Sequence, residues 1–209
     1  NVINWYKDGT SLTVLNMPFE NNKSNEGGKD YSGYGNNGTN VGATWNRTGG
    51  YDGFGAYEFD GKFSASSTED YITLGNIDPA GNELSLYAWV KLDSLTGNSA
   101  IISKGFEAFQ LLIAGNAPQF GFYDGDWDSL LTSSVNLTVG KWHNLAATFN
   151  GTELNIYLDG INTGTIIDSS ARSSNSDDLL IGCRDDGTIQ WCTNGSIDEV
   201  MIFNISLSA

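Results

Sequence analysis

The sequence predicts an all-β domain, a sandwich of two packed sheets with little helix. Gly is abundant (26 residues), Pro is scarce (3), and aromatic residues make up 12% of the chain. This mix is typical of short strands joined by tight turns, because Gly adopts positive φ at little steric cost. Apolar runs with a 3.6-residue period are absent. At 209 residues without a linker or internal repeat, residues 1–209 are expected to form one domain.

Short apolar runs separated by turn signals mark the strands. A Gly- and Asn-rich stretch, from residue 20 to about residue 55, lacks periodicity and is predicted to be a long loop. A hairpin is expected around Asn150-Gly151, between residues 142–149 and 154–158. The predicted strands are residues 12–19, 56–61, 71–74, 84–91, 100–104, 109–113, 119–123, 142–149, 154–158, 179–182 and 197–203.

The net charge of −15 limits the possible partners. Nucleic acid and anionic lipid both require neutralisation by Lys and Arg, so neither is an expected partner. The acidity attracts divalent cations, or alternatively it serves only as a solvated surface. No apolar run approaches the ~20 residues needed to span a bilayer, so no membrane insertion by this segment is expected. The chain begins without Met or a signal peptide, and we interpret it as processed or excised from a larger extracellular protein.

Two features indicate an oxidising, extracellular or cell-surface location. A turn near Gly187 brings Cys183 and Cys192 within disulfide reach, and such a short loop stabilises by about 2–3 kcal/mol. A zinc site is less favoured because the chain has one His. Seven glycosylation sequons are a mild excess over chance. They lie at Asn22, Asn37, Asn46, Asn136, Asn150, Asn194 and Asn204.

An ordered series of short motifs spans residues 12–207. It includes Asp30-Tyr31-Ser32-Gly33, Phe59-Asp60-Gly61, Ala88-Trp89-Val90, Gly140-Lys141-Trp142-His143, Leu158-Asp159-Gly160 and Ile197-Asp198-Glu199-Val200. In this order and spacing the chain resembles a laminin-G-like domain of the concanavalin A-like lectin/glucanase superfamily. The resemblance implies a jelly roll of two antiparallel sheets, one concave, with the first and last strands side by side. It also implies binding of glycans or proteins and, in many members, a structural calcium.

No catalytic residue is predicted. The paired carboxylates at alternate positions that related glucanases use are missing. Asp198 and Glu199 are adjacent and are therefore expected on opposite faces of a strand. Glu58 and Asp60 share a face, but they belong to the strand that carries the Phe-Asp-Gly motif, which is normally structural in the family. His143, the single His, is expected to be structural.

One carboxylate of the last strand is expected to be buried. Strand alternation places Asp198 with Val200 and Ile202, and Glu199 with Met201 on the other face. A buried ionised carboxylate requires a partner, which is either a metal ion or an arginine, lysine or backbone amide.

Calcium is the predicted partner, because it takes six to eight oxygen ligands and the loop at residues 30–39 is rich in them. The resemblance implies that the aspartate of the last strand and the N-terminal loop share such an ion. The predicted ligands are Asp30, Asn36, Asn37 and Asp198, with Glu20 nearby.

A glycan site is predicted where aromatic and acidic residues alternate. In Asp124-Gly125-Asp126-Trp127-Asp128 the indole could stack on a sugar while the carboxylates accept hydroxyl hydrogen bonds. Trp191, inside the predicted disulfide loop, is a second exposed-aromatic candidate. The alternative is a solvated hairpin tip with a packed Trp.

The sequence therefore favours a non-catalytic extracellular binding module with a structural calcium, whose partner is a glycan or a cell-surface protein. The alternative is a structural or assembly domain of a cell-surface layer, adhesin or filament, in contact with neighbouring subunits.

Overall fold

The computed structural model describes residues 4–20, 27–62, 69–127 and 129–207, and these ranges contain strands and no helix. In the described part of the chain there is consequently no helix that could cross a membrane. The strands are β1 (Tyr6–Lys7), β2 (Thr10–Ser11), β3 (Thr13–Met17), β4 (Thr39–Val41), β5 (Thr44–Asn46), β6 (Ala56–Asp60), β7 (Tyr71–Thr73), β8 (Leu84–Leu92), β9 (Asn98–Lys104), β10 (Phe109–Ala114), β11 (Ala117–Phe122), β12 (Leu130–Thr132), β13 (His143–Phe149), β14 (Glu153–Leu158), β15 (Ile161–Ile167), β16 (Leu179–Ile181), β17 (Arg184–Asp185), β18 (Ile189–Gln190) and β19 (Asn194–Phe203).

Two antiparallel sheets form the predicted sandwich. The seven-stranded sheet has the order β12-β11-β10-β9-β16-β7-β4, and the eight-stranded sheet has the order β15-β14-β13-β8-β19-β6-β5, with β3 paired to β19. The early strand β3 therefore lies beside the last strand β19, as the resemblance implies. Two short hairpins, β1-β2 and β17-β18, complete the described strands.

The core lies between the sheets, and strand alternation selects its residues. In β8, Leu84, Leu86 and Val90 are buried, whereas Tyr87 and Trp89 are half-buried on the outer face of the sheet. Phe122 of β11 and Phe149 of β13 join the two sheets, with ring centroids 4.5 Å apart.

The predicted strands are confirmed with small shifts of their ends, but the long loop is only partly a loop. Residues 39–41 and 44–46 form β4 and β5, which extend the edges of the two sheets. They are too short for a periodic pattern, so the sequence shows no sign of them. The hairpin around Asn150-Gly151 is present as β13-β14.

His143 has a structural set of contacts. Its Nδ1 lies 2.8 Å from Oδ2 of Asp159, and its Nε2 accepts a hydrogen bond from the backbone N–H of Thr138. Since Nε2 is an acceptor, Nδ1 carries the ring proton and donates a hydrogen bond to the carboxylate of Asp159. The ring thus ties the start of β13 to two neighbouring turns.

Removing the inter-sheet ring of Phe149 tests the core. Phe149 is 0% exposed, so we expect Phe149→Ala to lower the free energy of unfolding by about 3–5 kcal/mol through lost burial and a cavity. Ile161→Ala, at a residue that is 68% exposed, is the control and should change it by less than about 0.5 kcal/mol. Equal effects in urea unfolding would contradict this packing.

Candidate functional site

A bulge in β19 changes the direction of its acidic pair. Asp198 pairs with Trp89 and Met201 pairs with Tyr87, so β19 contains one residue more than β8 over this stretch. Glu199 has φ 52°, a left-handed conformation that is uncommon for a residue other than Gly. The expectation that Asp198 and Glu199 lie on opposite faces is therefore wrong, because it assumed an unbroken alternation.

Four carboxylates meet at this bulge. Oxygen atoms of Glu20, Asp52 and Glu199 all lie within 4.8 Å of one another. The side chain of Asp198, which is 0% exposed, accepts hydrogen bonds from the backbone N–H of Tyr51 (3.0 Å) and of Glu199 (2.8 Å). Within the described ranges, no ion pair involves any of these four carboxylates.

Burial and mutual repulsion hold protons on this cluster. Desolvation, together with the charges of Glu199 and Asp52, raises the pKa of Asp198 to about 8, although two backbone hydrogen bonds oppose the rise. Desolvation and the charges of Glu20 and Asp52 raise the pKa of Glu199 to about 7. The pKa of Glu20 is also raised, chiefly by desolvation. The bulge therefore gathers carboxylates that hold protons near neutral pH, because no cationic side chain of the described residues forms an ion pair with them.

The other predicted calcium ligands have a different role. The carboxylate of Asp30 accepts hydrogen bonds from the backbone N–H groups of Asn16, Ser32 and Asn36 and from the Ser32 hydroxyl. Oδ1 of Asn37 accepts a bond from the backbone N–H of Asp30. The Asp30 side chain thus organises its own loop and fastens it to β3.

The predicted ligand set is consequently divided. Asp198 and Glu20 lie at the bulge, whereas Asp30, Asn36 and Asn37 form the separate loop network and Asp30 is not a member of the carboxylate cluster. The sequence analysis did not predict Asp52 and Glu199 as calcium ligands. Asp52 lies in a Gly-rich loop without periodicity, and the position of Glu199 depends on the bulge.

A second cluster gathers the predicted ligand-binding tryptophans around Arg184. The guanidinium carbon lies 4.4 Å from the ring centroid of Trp191, 4.9 Å from that of Phe106 and 5.4 Å from that of Trp127. One nitrogen donates to Oε1 of Gln110 at 3.0 Å. Arg184 is 3% exposed, and stacking on aromatic faces offsets part of its desolvation.

The exposed aromatic ring of this cluster is that of Phe106, and not that of either tryptophan. Trp127 and Trp191 are half-buried, so the expectation that they are exposed platforms is wrong, because both pack on Arg184. Phe106 is 40% exposed and packs edge-on against Trp127 at 6.1 Å. No sequence pattern singled out Phe106 or Arg184, since their partners come from distant parts of the chain.

The predicted disulfide Cys183–Cys192 is confirmed. Its cysteines directly precede Arg184 and directly follow Trp191, and the intervening residues form the predicted turn as the β17-β18 hairpin. The backbone carbonyl of Trp191 also accepts a hydrogen bond from Ala100 in β9. The disulfide thus closes the loop that presents both residues against the seven-stranded sheet.

A cleft of about 310 Å³ opens beside Phe106 on the outer face of the seven-stranded sheet. Tyr71 and Thr73 of β7 form its floor. Its acidic lining comprises Asp177, Asp178, Asp185 and Asp186.

The predicted acidic turn lies outside that lining. Asp124 is half-buried, Asp126 is exposed, and the backbone N–H of Asp124 donates to the Asp126 carbonyl at 3.4 Å. Asp128 falls outside the described residues. Trp127 of this turn contacts the Arg184 cluster.

The sequons differ in accessibility. Asn37, Asn136 and Asn150 are exposed, and Asn22 is outside the described residues. Asn46, Asn194 and Asn204 are half-buried. In Asn46 the amide nitrogen already donates to Glu58. Glycosylation stays a prediction at every site.

Comparison with known proteins identifies the family. A laminin-G-type model of the concanavalin A-like lectin/glucanases superfamily matches residues 66–209. The match covers more than half of the chain, and the chain therefore belongs to this superfamily. Comparison with the sequences of curated proteins returned no significant match.

Solved structures share the fold at low identity. Domain 4 of AbnA, a GH43 extracellular arabinanase from Geobacillus stearothermophilus in complex with arabinotriose, has a TM-score of 0.65, 19% identity and 94% coverage of both chains. The binding domain of botulinum neurotoxin DC, in complex with rat synaptotagmin II, has a TM-score of 0.67 and 16% identity. Botulinum neurotoxin type C, whose cell entry depends upon interaction with two ganglioside molecules, has a TM-score of 0.66 and 15% identity. Both toxin matches cover 94% of this chain, which spans about half of each toxin structure (49%).

The bulge predicts an unusual pH dependence of stability in the presence of EDTA. Asp198 and Glu199 bind protons in the folded state up to pH about 8 and about 7, whereas carboxyls of the unfolded chain ionise near pH ~4. The folded state binds more protons in between, so the free energy of unfolding should fall as pH rises from about 5 to about 8. The slope is at most about 1.4 kcal/mol per pH unit for each group.

Urea unfolding at several pH values measures this slope. Asp198→Asn should flatten it, because one raised pKa is removed. Stability that rises with pH over the same range in wild type would contradict the protonated cluster.

Proposed function

We propose that this chain is a non-catalytic extracellular module that binds neutral glycans in the cleft beside Phe106 and is stabilised by a calcium ion at the β19 bulge. The observation that carries the glycan proposal is the exposed Phe106 ring at the edge of an acidic cleft, supported from below by Arg184. A stable aromatic surface next to hydrogen-bond acceptors is what recognition of a sugar ring requires.

The chemistry of the cleft favours an uncharged ligand. The face of Phe106 can pack on the apolar C–H face of a sugar, while carboxylates such as Asp178 and Asp186 accept bonds from its hydroxyls. Four carboxylates repel a sialylated or uronic glycan, since like charges brought into a site oppose binding. The repulsion supplies the discrimination against anionic sugars.

The comparisons support binding and an extracellular location. The arabinanase domain is in complex with arabinotriose, and one toxin domain is in complex with synaptotagmin II. Cell entry of botulinum neurotoxin type C depends upon interaction with gangliosides. We infer a glycan, or a glycosylated cell-surface protein, as the partner of this chain. The disulfide supports an oxidising compartment.

Glu58 and Asp60 are the carboxylate pair with the strand spacing that hydrolysis would require. Their existing contacts favour a binding role over hydrolysis. Glu58 accepts a hydrogen bond from Asn46 at 2.7 Å, and Asp60 forms an ion pair with Lys62 at 2.5 Å. Although burial opposes the shift, the hydrogen bonds and the charge of the exposed Lys62 lower the pKa of Asp60, which disfavours Asp60 as a proton donor.

The donor set at the bulge fits calcium. Glu20, Asp52 and Glu199 offer carboxylate oxygens close together, which is the ligand type that calcium prefers. Burial and the neighbouring carboxylates raise the pKa of Glu20 and of Glu199. A bound ion would neutralise the cluster and link the loop at residues 47–55 to β19. Asp198 fixes that loop through the Tyr51 N–H.

Mutation of Phe106 tests the glycan site. In calorimetric titrations with arabinotriose and other neutral oligosaccharides, Phe106→Ala should weaken binding about tenfold, because about 1.4 kcal/mol of aromatic contact is lost. Phe54→Ala is the matched control, since Phe54 is 61% exposed and does not line the cleft. Its affinity should equal that of wild type.

Sialylated oligosaccharides should bind more weakly than their neutral counterparts. Binding that Phe106→Ala leaves intact would place the glycan elsewhere. Absence of glycan binding together with concentration-dependent self-association would favour the assembly role instead.

Chelation tests the calcium. Ion binding to the native state stabilises by RT ln(1 + [L]/Kd), about 2.7 kcal/mol at 100 Kd, so EDTA should lower the Tm by several degrees. Glu199→Gln should reduce this shift, whereas Asp8→Asn, on an exposed turn, should keep it. An unchanged Tm after chelation of wild type would contradict the ion.

A further inference from the structure

Lys104, the last residue of β9, has its side chain inside the protein. It is 0% exposed and is the one buried lysine among the residues that the structure describes. Its Nζ lies 2.6 Å from Oδ1 of Asn76 and 2.8 Å from the carbonyl oxygen of Asp177. The amine of Lys104 is thus in contact with the side-chain carboxamide of Asn76.

Burial makes this amine a better nucleophile than a surface lysine. Desolvation lowers the pKa of Lys104, although the charges of Asp78 and Asp177 oppose the shift. A larger fraction of the amine is then neutral, which is the form that attacks a carbonyl carbon.

A carboxylate stands two residues beyond the carboxamide. Oδ1 of Asp78 accepts a hydrogen bond from Arg172 at 2.7 Å, whereas its Oδ2 is buried without a hydrogen-bond partner in the described parts of the chain. Among the acidic residues near Lys104, the charge of Asp78 raises the pKa of the amine the most, in opposition to burial. A buried oxygen without a partner requires an explanation, and relay of a proton is one.

We propose that Lys104 and Asn76 form an intramolecular isopeptide bond, with Asp78 relaying the proton. The neutral Nζ attacks Cγ of Asn76 and a carbon–nitrogen bond forms. A proton leaves the attacking amine, is taken up by Asp78 and is delivered to the former amide nitrogen. The original carbon–nitrogen bond then breaks and ammonia is released, which leaves a secondary amide.

The surroundings suit this reaction. Asn76 is exposed, so ammonia has a path to solvent, and no oxidant or cofactor is consumed. Asn76 follows β7 and Lys104 ends β9, and these strands flank β16 in the seven-stranded sheet. The bond therefore fastens two strands that share no hydrogen bonds, across the strand between them.

The intact mass of the wild-type chain tests the bond directly. The expected mass is lower than that of the disulfide-bonded sequence by one ammonia, about 17 Da. Fragmentation of a protease digest should find the peptide containing Lys104 joined to the peptide containing Asn76. A full-length chain whose mass shows no loss of ammonia would overturn the proposal.

Two variants separate this bond from other losses of ammonia. An Asn-Gly pair such as Asn150-Gly151 loses ammonia on forming a succinimide, and that loss persists in any variant of Lys104. Lys104→Arg keeps the cation but has no nucleophilic amine, and Asn76→Ala removes the electrophile. Both should have the full mass. A deficit of one ammonia that remains in Lys104→Arg would overturn the proposal.

Asp78→Asn tests the relay. It should slow formation of the bond at least tenfold, as measured by the intact mass of newly synthesised chain at increasing times after synthesis. Formation at the wild-type rate would overturn the role of Asp78, while the mass of the wild type would still decide the bond. Circular dichroism checks that each variant retains its strands.

Discussion

An extra residue in β19 is the constraint on which the rest of the molecule depends. β19 pairs with β3, β6 and β8, so it is the strand around which the eight-stranded sheet is assembled. The bulge at Glu199 breaks the alternation of that strand and turns two acidic side chains toward the same loop. The cost of a left-handed residue and of a buried carboxylate is tolerated only if another interaction offsets it, which is the physical basis of the proposed calcium.

The two proposed sites, one for calcium and one for a glycan, lie on opposite faces of the sandwich. The carboxylate cluster is on the outer side of the eight-stranded sheet, where Tyr51 stacks on Trp89 at 3.4 Å. The proposed glycan cleft is on the outer side of the seven-stranded sheet, where the disulfide loop holds Arg184 against three rings. The core between the sheets separates the two, so loss of the ion and loss of the ligand are expected to be distinguishable.

The sequence predicted the sandwich and the disulfide because both follow from local patterns. Short apolar runs between turn residues mark strands such as residues 84–91, and Cys183 and Cys192 flank an evident turn. The sites were predicted less well because they depend on long-range geometry. Trp127 and Trp191 both pack on Arg184, and the sequence gives no sign of the arginine that joins them. The bulge that brings Glu199 into the cluster has no sequence signal, since left-handed residues other than Gly are not marked.

Counting the protons released on calcium binding tests the account most directly. Asp198 and Glu199, with pKa values of about 8 and about 7, are largely protonated at pH ~6, and a bound cation displaces those protons. Calorimetric titration of calcium at that pH, in two buffers that differ in ionisation enthalpy, measures their number. The account predicts release of about one to two protons per ion, and fewer at pH ~9. Binding without proton release, or no binding, would contradict it.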